Sequence, residues 1–462
     1  MENKSEELVT RRTALIVATL AAFITPFMSS SINIALPSMG QEFSMDAVSL
    51  GWVATAFLLA AAMFLVPMGK IADIHGRKKI FLWGLGVYTV SSLACALSRS
   101  AGWLIAFRVL QGISAAMIFG TGIAILTSVY PAGERGKVLG INVASTYSGL
   151  SLGPVLGGLL TQHLGWRIIF LVNVPIGLAA FALVIWRLKG EWAEARGEKF
   201  DLPGSVIFGV SLAAVMYGLT RLPAWDGAWF AGGGCAGVAV FVLWETRVKS
   251  PVLNLHLFAK NRVFALSNVA ALINYSATAA VAFLLSLYLQ YIKGFSPQNA
   301  GLILVCQPVM MAVFSPFAGR LSDRIEPRII ASIGMAMTMA GLALLALLGR
   351  DTQPAFIVLS LVVLGSGFAL FSSPNTNTVM SSVERKYYGI ASATLGTMRL
   401  TGQMLSMGIA MLIFALFIGR VQITPAYYGR FLTSFRTAFG IFACLCFLGV
   451  FASVARGKIH SR

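Results

Sequence analysis

Acidic residues are scarce in this sequence. Seventeen Asp and Glu stand against thirty-five Lys and Arg in 462 residues. Charged residues make up only 11% of the chain, where soluble domains carry about 25%. That deficit excludes an ordinary solvated surface, and 57% hydrophobic residues point to a bilayer as the solvent. A net charge of +18 would suit a nucleic-acid partner, but Lys and Arg lie in short loops between apolar runs and form no basic domain. No nucleic-acid partner is expected. Cysteine is sparse too. Cys95, Cys235, Cys306, Cys444 and Cys446 all fall inside apolar runs without CxxC spacing, and read as small buried hydrophobes. The four histidines (His75, His163, His256, His460) lie in loops, at a span end or in the tail. No His/Asp/Glu or Cys/His set stands at metal-ligand or triad spacing, and the loops are too short for a catalytic domain. An enzyme, a metal site and a cofactor are therefore not expected.

What the chain has instead is a series of apolar windows. They cover residues 13–36, 47–68, 80–98, 102–130, 138–162, 168–186, 204–220, 228–244, 263–291, 299–318, 329–349, 354–382, 388–418 and 437–455. A helical crossing needs about 20 residues, with about 17 as the floor, so 204–220 and 228–244 are the shortest candidates. Each window must be helical, because lipid offers backbone groups no other partner. The first is long enough to span and reads as an uncleaved helix rather than a signal peptide. The fold class is an all-α polytopic membrane protein of fourteen transmembrane helices.

Two polar turns divide the chain. Gly69–Lys79, GKIADIHGRKK, has a shortened relative at Gly319–Arg328, GRLSDRIEPR. Aligning them puts Gly69 on Gly319, Lys70 on Arg320, Asp73 on Asp323 and Lys78 on Arg328, an offset of 250 residues. The repeat implies two pseudo-symmetric six-helix bundles, 1–190 and 261–462. A linker, 191–260, carries the extra hairpin 204–220 and 228–244. If the N-terminus is cytoplasmic, the loops on that side hold Lys70, Arg77, Lys78, Lys79, Arg135, Lys137 and most other basic residues. The opposite loops hold only Arg99, Arg167, Arg221, Lys293, Arg350, Arg420 and Arg430, with Arg436 at a helix start. Both termini are expected inside, in the plasma membrane.

Gly69–Lys79 resembles the loop signature of the major facilitator superfamily, G-x-L-A-D-R-x-G-R-K, with Ile71 for Leu and Ile74 for the second Arg. Arg108-Val-Leu-Gln111-Gly112 resembles the fourth-span signature R-x-x-Q-G, and Gly149–Gly158 the fifth-span antiporter signature. Fourteen spans with Asn33–Pro37 ending the first, and Trp166-Arg167 before the sixth, are similar to the fourteen-span drug:proton antiporter branch. The resemblance implies a monomeric secondary transporter working by alternating access. It would use the proton-motive force to expel small hydrophobic drugs or toxic compounds. The alternatives are an exporter or facilitator of an endogenous neutral or anionic metabolite or lipid, and a transporter-like sensor or channel.

The site residues follow in groups. Gly69, Asp73, Gly76, Arg77, Glu134, Gly319, Asp323 and Arg324 form a gating latch, with the glycines permitting tight turns and Arg77 pairing with Glu134; a simple charge anchor is the alternative. Arg108 lies in an apolar window, where an arginine costs about 2.5–3.5 kcal/mol on insertion scales. Gln111 shares its helix face and Gly112 leaves it space. The resemblance gives Arg108 a part in coupling or switching; bonding to carbonyls of a neighbouring helix is the plainer role. Arg399 is the second intramembrane arginine, with snorkelling as its plainer role. Gly149, Gly153 and Gly157, with Pro154 and Gly158, make a hinge or seal, or else a tight packing stripe. Ser30, Asn33, Tyr147, Asn274, Tyr275, Gln307, Met311, Asn375 and Asn377 are the substrate-cavity candidates.

None of the seventeen acids lies deep in a span, and Met28 stands where related antiporters often carry Asp. A membrane carboxylate both carries a proton and attracts a cationic drug. Without one, coupling falls to Asp73 or another loop-edge acid, and the cavity is neutral to positive. Permanently cationic drugs are then expected to be weaker substrates than neutral, zwitterionic or anionic ones. Ethidium efflux as fast as that of an uncharged dye would contradict this.

Overall fold

The structure, a computed structural model, describes residues 2–248, 251–253, 255–384 and 387–457, with the backbone alone at 2–5, Ala132, His256 and Asp323. Among the described residues there are fourteen helices long and apolar enough to cross a bilayer. Spans 1 to 6 are Glu6–Glu42, Ala47–His75, Arg77–Ala96, Ala101–Val129, Gly133–Leu164 and Arg167–Arg187. Spans 7 and 8, the inserted hairpin, are Leu202–Arg221 and Trp225–Glu245. Spans 9 to 14 are Arg262–Ile292, Pro297–Ser322, Pro327–Ala346, Pro354–Ser381, Tyr388–Phe417 and Pro425–Ala455. Among the described residues there is no β-strand.

The two short windows grow to 20 and 21 residues, about 30 Å of helix each. Asp201 makes this possible at one end, capping span 7 by accepting from Gly204 N–H at 3.0 Å. Span 14 starts well before the expected residue 437. Arg436 lies inside it, and its Nε donates to the Leu348 carbonyl at 2.8 Å, so its polar head is satisfied within the protein. Elsewhere Asp46, Ser100, Asn261 and Ser296 cap spans 2, 4, 9 and 10, and Pro297, Pro327 and Pro354 occupy first-turn positions where no N–H is needed. Span 9 breaks at Ala279–Ala280. The freed Ala280 N–H donates to Ser406 Oγ at 3.0 Å, which keeps the interruption tolerable.

The packing repeats between the halves. Spans 1 and 5, 2 and 4, 3 and 4, and 3 and 6 pair in the first six helices. Spans 9 and 13, 10 and 12, 11 and 12, and 11 and 14 pair in the last six. The halves meet through spans 1 and 9, 2 and 13, and 5 and 10. Span 7 lies over the seam between spans 2 and 13, where Phe208, Leu212 and Met216 join Val48, Ala62, Met404 and Met411 in one apolar cluster.

The loops at 76, 130–132 and 188–201 define a basic face, and the other loop ends an opposite face. At the opposite face the halves are tied. Ser286 Oγ donates to the Asn33 carbonyl at 2.6 Å, Gln290 Nε2 to the Ile34 carbonyl at 2.9 Å, and Ala47 N–H to the Val421 carbonyl at 3.1 Å. Toward the basic face span 5 becomes bare: from 133 to 144 only Val138 and Asn142 are buried. The ties at the opposite face and the uncovered end of span 5 leave room for a cleft between the halves toward the basic face.

Candidate functional site

The cleft ends where span 5 meets span 10. A Cβ on Gly158 would stand 2.5 Å from the Pro297 carbonyl oxygen, and one on Gly301 would strike the carbonyl of Pro154. Backbone lies on backbone there. Gly149, Gly153 and Gly157 face the other way, against Phe23, Ser30 and Ser31 of span 1, and Ser31 Oγ donates to the Gly153 carbonyl at 2.9 Å. The expected stripe thus divides. Three glycines pack span 5 within its own half; Pro154 and Gly158 form the seal between halves.

Above that seal the halves bring polar groups together. Ser315 Oγ of span 10 donates to Tyr147 Oη of span 5 at 3.2 Å. Tyr275, Ser372 and Arg399 stand beside Tyr147, with Tyr275 and Ser372 hydroxyls 3.5 Å apart. Arg399 lies eleven residues into span 13 from Tyr388, about 16 Å from its basic-face end by helix rise. Its Nη2 donates to Thr376 Oγ1 at 2.7 Å and its guanidinium lies 5.6 Å from the Tyr275 ring centroid. Its Nε is buried and unpartnered, and no ion pair among the described residues includes it. The head is held inside the protein by Thr376 and the Tyr275 ring. Met311 and Phe368 complete the apolar wall.

Arg108 sits elsewhere. It is 1% exposed and all its partners are in the first half. Nε donates to the Val53 carbonyl at 2.9 Å, Nη1 to Gln111 Oε1 at 2.5 Å, and the guanidinium lies 4.4 Å from the Phe57 centroid. Gln111 Nε2 passes the chain on to Ser92 Oγ at 2.7 Å. A Cβ on Gly112 would strike the Phe57 carbonyl, so the glycine is what lets span 2 approach this arginine.

The stretch Gly69–Lys79 is mostly helix. Span 2 runs on to His75 and span 3 starts at Arg77, leaving Gly76, at φ +119°, as the turn. Gly69 is within span 2 with nothing within 4 Å of its Cβ position, which corrects the expectation of a tight turn there. The expected Arg77–Glu134 pair is also corrected. Arg77 binds Asp73 at 2.7 Å, Ser128 Oγ at 2.7 Å and both oxygens of Glu194 at 2.8 and 3.0 Å, while Glu134 faces Arg11 at 3.9 Å. Glu194 wins because the segment after span 6 folds under the turn. There Glu191 accepts from Lys78 and Lys79 N–H at 2.8 and 3.2 Å, serving as an N-cap from far along the chain, and Glu198 pairs with Lys70.

In the second half, Arg324 is exposed and the Asp323 side chain lies outside the described residues. Gly319 is near Ser373. The buried cation beneath this turn is Arg456, just past span 14. It donates to Asn375 Oδ1 at 2.7 Å and to the Pro327 carbonyl at 3.2 Å, and burial pushes it down to about 10, still charged at neutral pH. Asn375 is thereby occupied, and Asn377 binds Ser322 Oγ at 3.3 Å close to the same turn. These two spend their amides on partners within the second half. Asn274 is fully buried with neither amide atom bonded; Gln307 is half-buried beside Gly365. Ser30 and Asn33 lie on span 1, where they bond its own carbonyls. Glu191, Glu194, Glu198, Arg456, Ser315, Ser372 and Thr376 were missed. Only the linker acids carry a visible signal, three carboxylates at spacings of three and four opposite a basic turn.

The Major Facilitator Superfamily profile matches residues 18–267 and 267–459. Riboflavin transporter RibZ of Clostridioides difficile (strain 630) is 30% identical over 448 residues, covering 95% of this chain and 96% of that protein. Multidrug resistance protein Stp of Mycobacterium tuberculosis (strain CDC 1551 / Oshkosh) is 31% identical, covering 87% and 75%. Among solved structures, a peptide transporter POT in complex with alafosfalin superposes with a TM-score of 0.72 over 97% of this chain and 94% of that one, at 13% identity, a likeness of fold.

Gly76 and Gly69 make a matched test. A Cβ at Gly76 would lie 2.5 Å from the Glu191 carboxyl carbon at a positive φ. Gly76→Ala is expected to cost about 1–3 kcal/mol, lowering the melting temperature in detergent. Gly69→Ala should leave it unchanged or raise it. Equal melting temperatures for the two variants would contradict the clasp geometry.

Proposed function

This chain belongs to the major facilitator superfamily, and from that premise we propose that it exports small hydrophobic compounds that are neutral, zwitterionic or anionic. The observation that carries the charge preference is Arg399, a guanidinium held between Thr376 and Tyr275 with no carboxylate paired to it among the described residues. In a low-dielectric cleft a fixed positive charge attracts anions strongly and repels cations. Tyr147, Tyr275, Phe368 and Met311 supply the aromatic and adaptable apolar contacts around it. Duplicated halves with a site between them suit alternating access. The excess of Lys and Arg on one face supports assigning that face to the cytoplasm, so a cleft open there loads substrate from inside the cell. The clasp of Arg77 on Asp73 and Glu194 joins the first half to the linker, so it would steady the first half as a rigid body while the halves rock. Proton-motive force drives export in this reading, and the protein acts as a monomer.

RibZ, a relative named as a riboflavin transporter, supports a second reading, in which the cargo is a metabolite. Efflux-deficient cells expressing the protein separate the two. Drug export predicts raised resistance to several uncharged and anionic compounds. Metabolite transport predicts altered vitamin flux without broad resistance. In either case Arg399→Gln should reduce transport of anionic compounds about tenfold and spare neutral ones. Equal loss for both classes would show that Arg399 supports the fold and not the cargo.

A further inference from the structure

The sequence places no acid at mid-span, yet the structure buries two against each other at the base of the inserted hairpin. Glu245, the last residue of span 8, is 1% exposed. Its Oε2 accepts from Leu253 N–H at 2.8 Å, and its Oε1 is buried without a partner. Asp201, the cap of span 7, is 7% exposed. A Cβ on Gly204 would strike Asp201 Oδ2 and stand 2.8 Å from Glu245 Oε1. Both oxygens therefore share the space that Gly204 leaves empty. Trp244 Nε1 lies 3.2 Å from each Asp201 oxygen. No Lys or Arg among the described residues pairs with either acid, and nearby Lys199 and Arg247 are exposed.

We propose that Asp201 and Glu245 form a proton-binding site, with one proton on Glu245 Oε1 donated to Asp201 Oδ2. Two buried carboxylates facing each other without a cation cannot both be ionised. The helix ends decide which one holds the proton. Asp201 stands at the N-terminus of span 7, where the dipole, Gly204 N–H and Trp244 Nε1 favour an anion. Glu245 stands at the C-terminus of span 8, where the dipole disfavours one. The site also has something to control. Leu253 lies in the strap that runs from span 8 through the short helix Leu255–Lys260 into span 9, and packs in the cluster under the hairpin. Losing the proton to water at the basic face puts two negative charges together and drives Asp201 and Glu245 apart, while ionised Glu245 holds the Leu253 N–H of the strap more strongly. The hairpin thus senses pH on that face and passes it to the start of the second half.

Infrared spectroscopy of the purified full-length protein tests this. Wild type should show a protonated-carboxyl C=O band that disappears reversibly as pH is raised between about 5 and 8, above the range of ordinary exposed acids. Glu245→Gln should abolish that band, and Asp201→Asn should move its disappearance to lower pH, because the neighbouring anion is gone while the burial of Glu245 remains. Glu245→Gln should also keep a pH-independent melting temperature over the range in which wild type loses stability. A wild-type protein with no such titrating band overturns the proposal without any variant. So does a band that survives unchanged in both variants.

Discussion

Backbone touches backbone where span 5 crosses span 10, and the rest of the molecule is arranged about that contact. Gly158 lies against the Pro297 carbonyl and Gly301 against that of Pro154. No side chain stands between, so dispersion contacts accumulate over a short length and the crossing is tight. In lipid, where apolar burial gives little drive for helix association, such close approach is a main source of cohesion. Because it lies toward the opposite face, the two halves are in contact there in this conformation and apart toward the basic face. The position of the cleft, its open end and the meeting of Tyr147 with Ser315 at its head follow from this one crossing.

The buried arginines show how charge is handled at different depths. Arg77, at the basic face, gathers carboxylates from Asp73 and Glu194. Arg108, inside the first half, is held by a carbonyl, an amide oxygen and an aromatic ring, all neutral dipoles. Arg456, beneath the second turn, uses an amide oxygen and a carbonyl, and its Nε is also buried without a partner. Arg399 has only a hydroxyl and a ring, and keeps an unpartnered nitrogen. The least satisfied of the four is the one that faces the cleft. A buried donor left without a partner costs free energy that a suitable ligand recovers on binding, which is why the proposed charge preference is assigned to Arg399 rather than Arg108.

Much of the fold was legible because lipid imposes length and helicity together. Fourteen windows became fourteen spanning helices, including the two shortest. Arg436 escaped because a charge that bonds Leu348 across the fold looks, in sequence, like the end of a window. The site was less legible, for reasons of phase and depth. Gly157 and Gly158 are neighbours in sequence, but one residue turns a helix by about 100°, so one meets span 1 and the other span 10. Asn375 and Asn377 are polar positions in an apolar run, yet they flank Thr376 on other phases of the helix and bond Ser267, Arg456 and Ser322 within the second half. Glu191, Glu194 and Glu245 look like ordinary loop-edge acids. Their partners, Lys78 N–H, Arg77 and Asp201, come from distant segments that only the packed structure brings close.

The account stands on the crossing at the opposite face opening and closing during transport. Gln298 N–H donates to Gln162 Oε1 there at 3.3 Å, so the two positions are neighbours across the halves. Gln162→Cys and Gln298→Cys, in a chain whose five native cysteines are replaced, allow a disulfide to lock the crossing. Transport by the oxidised protein in proteoliposomes is predicted to stop and to return on reduction. Undiminished transport by fully cross-linked protein would contradict the account.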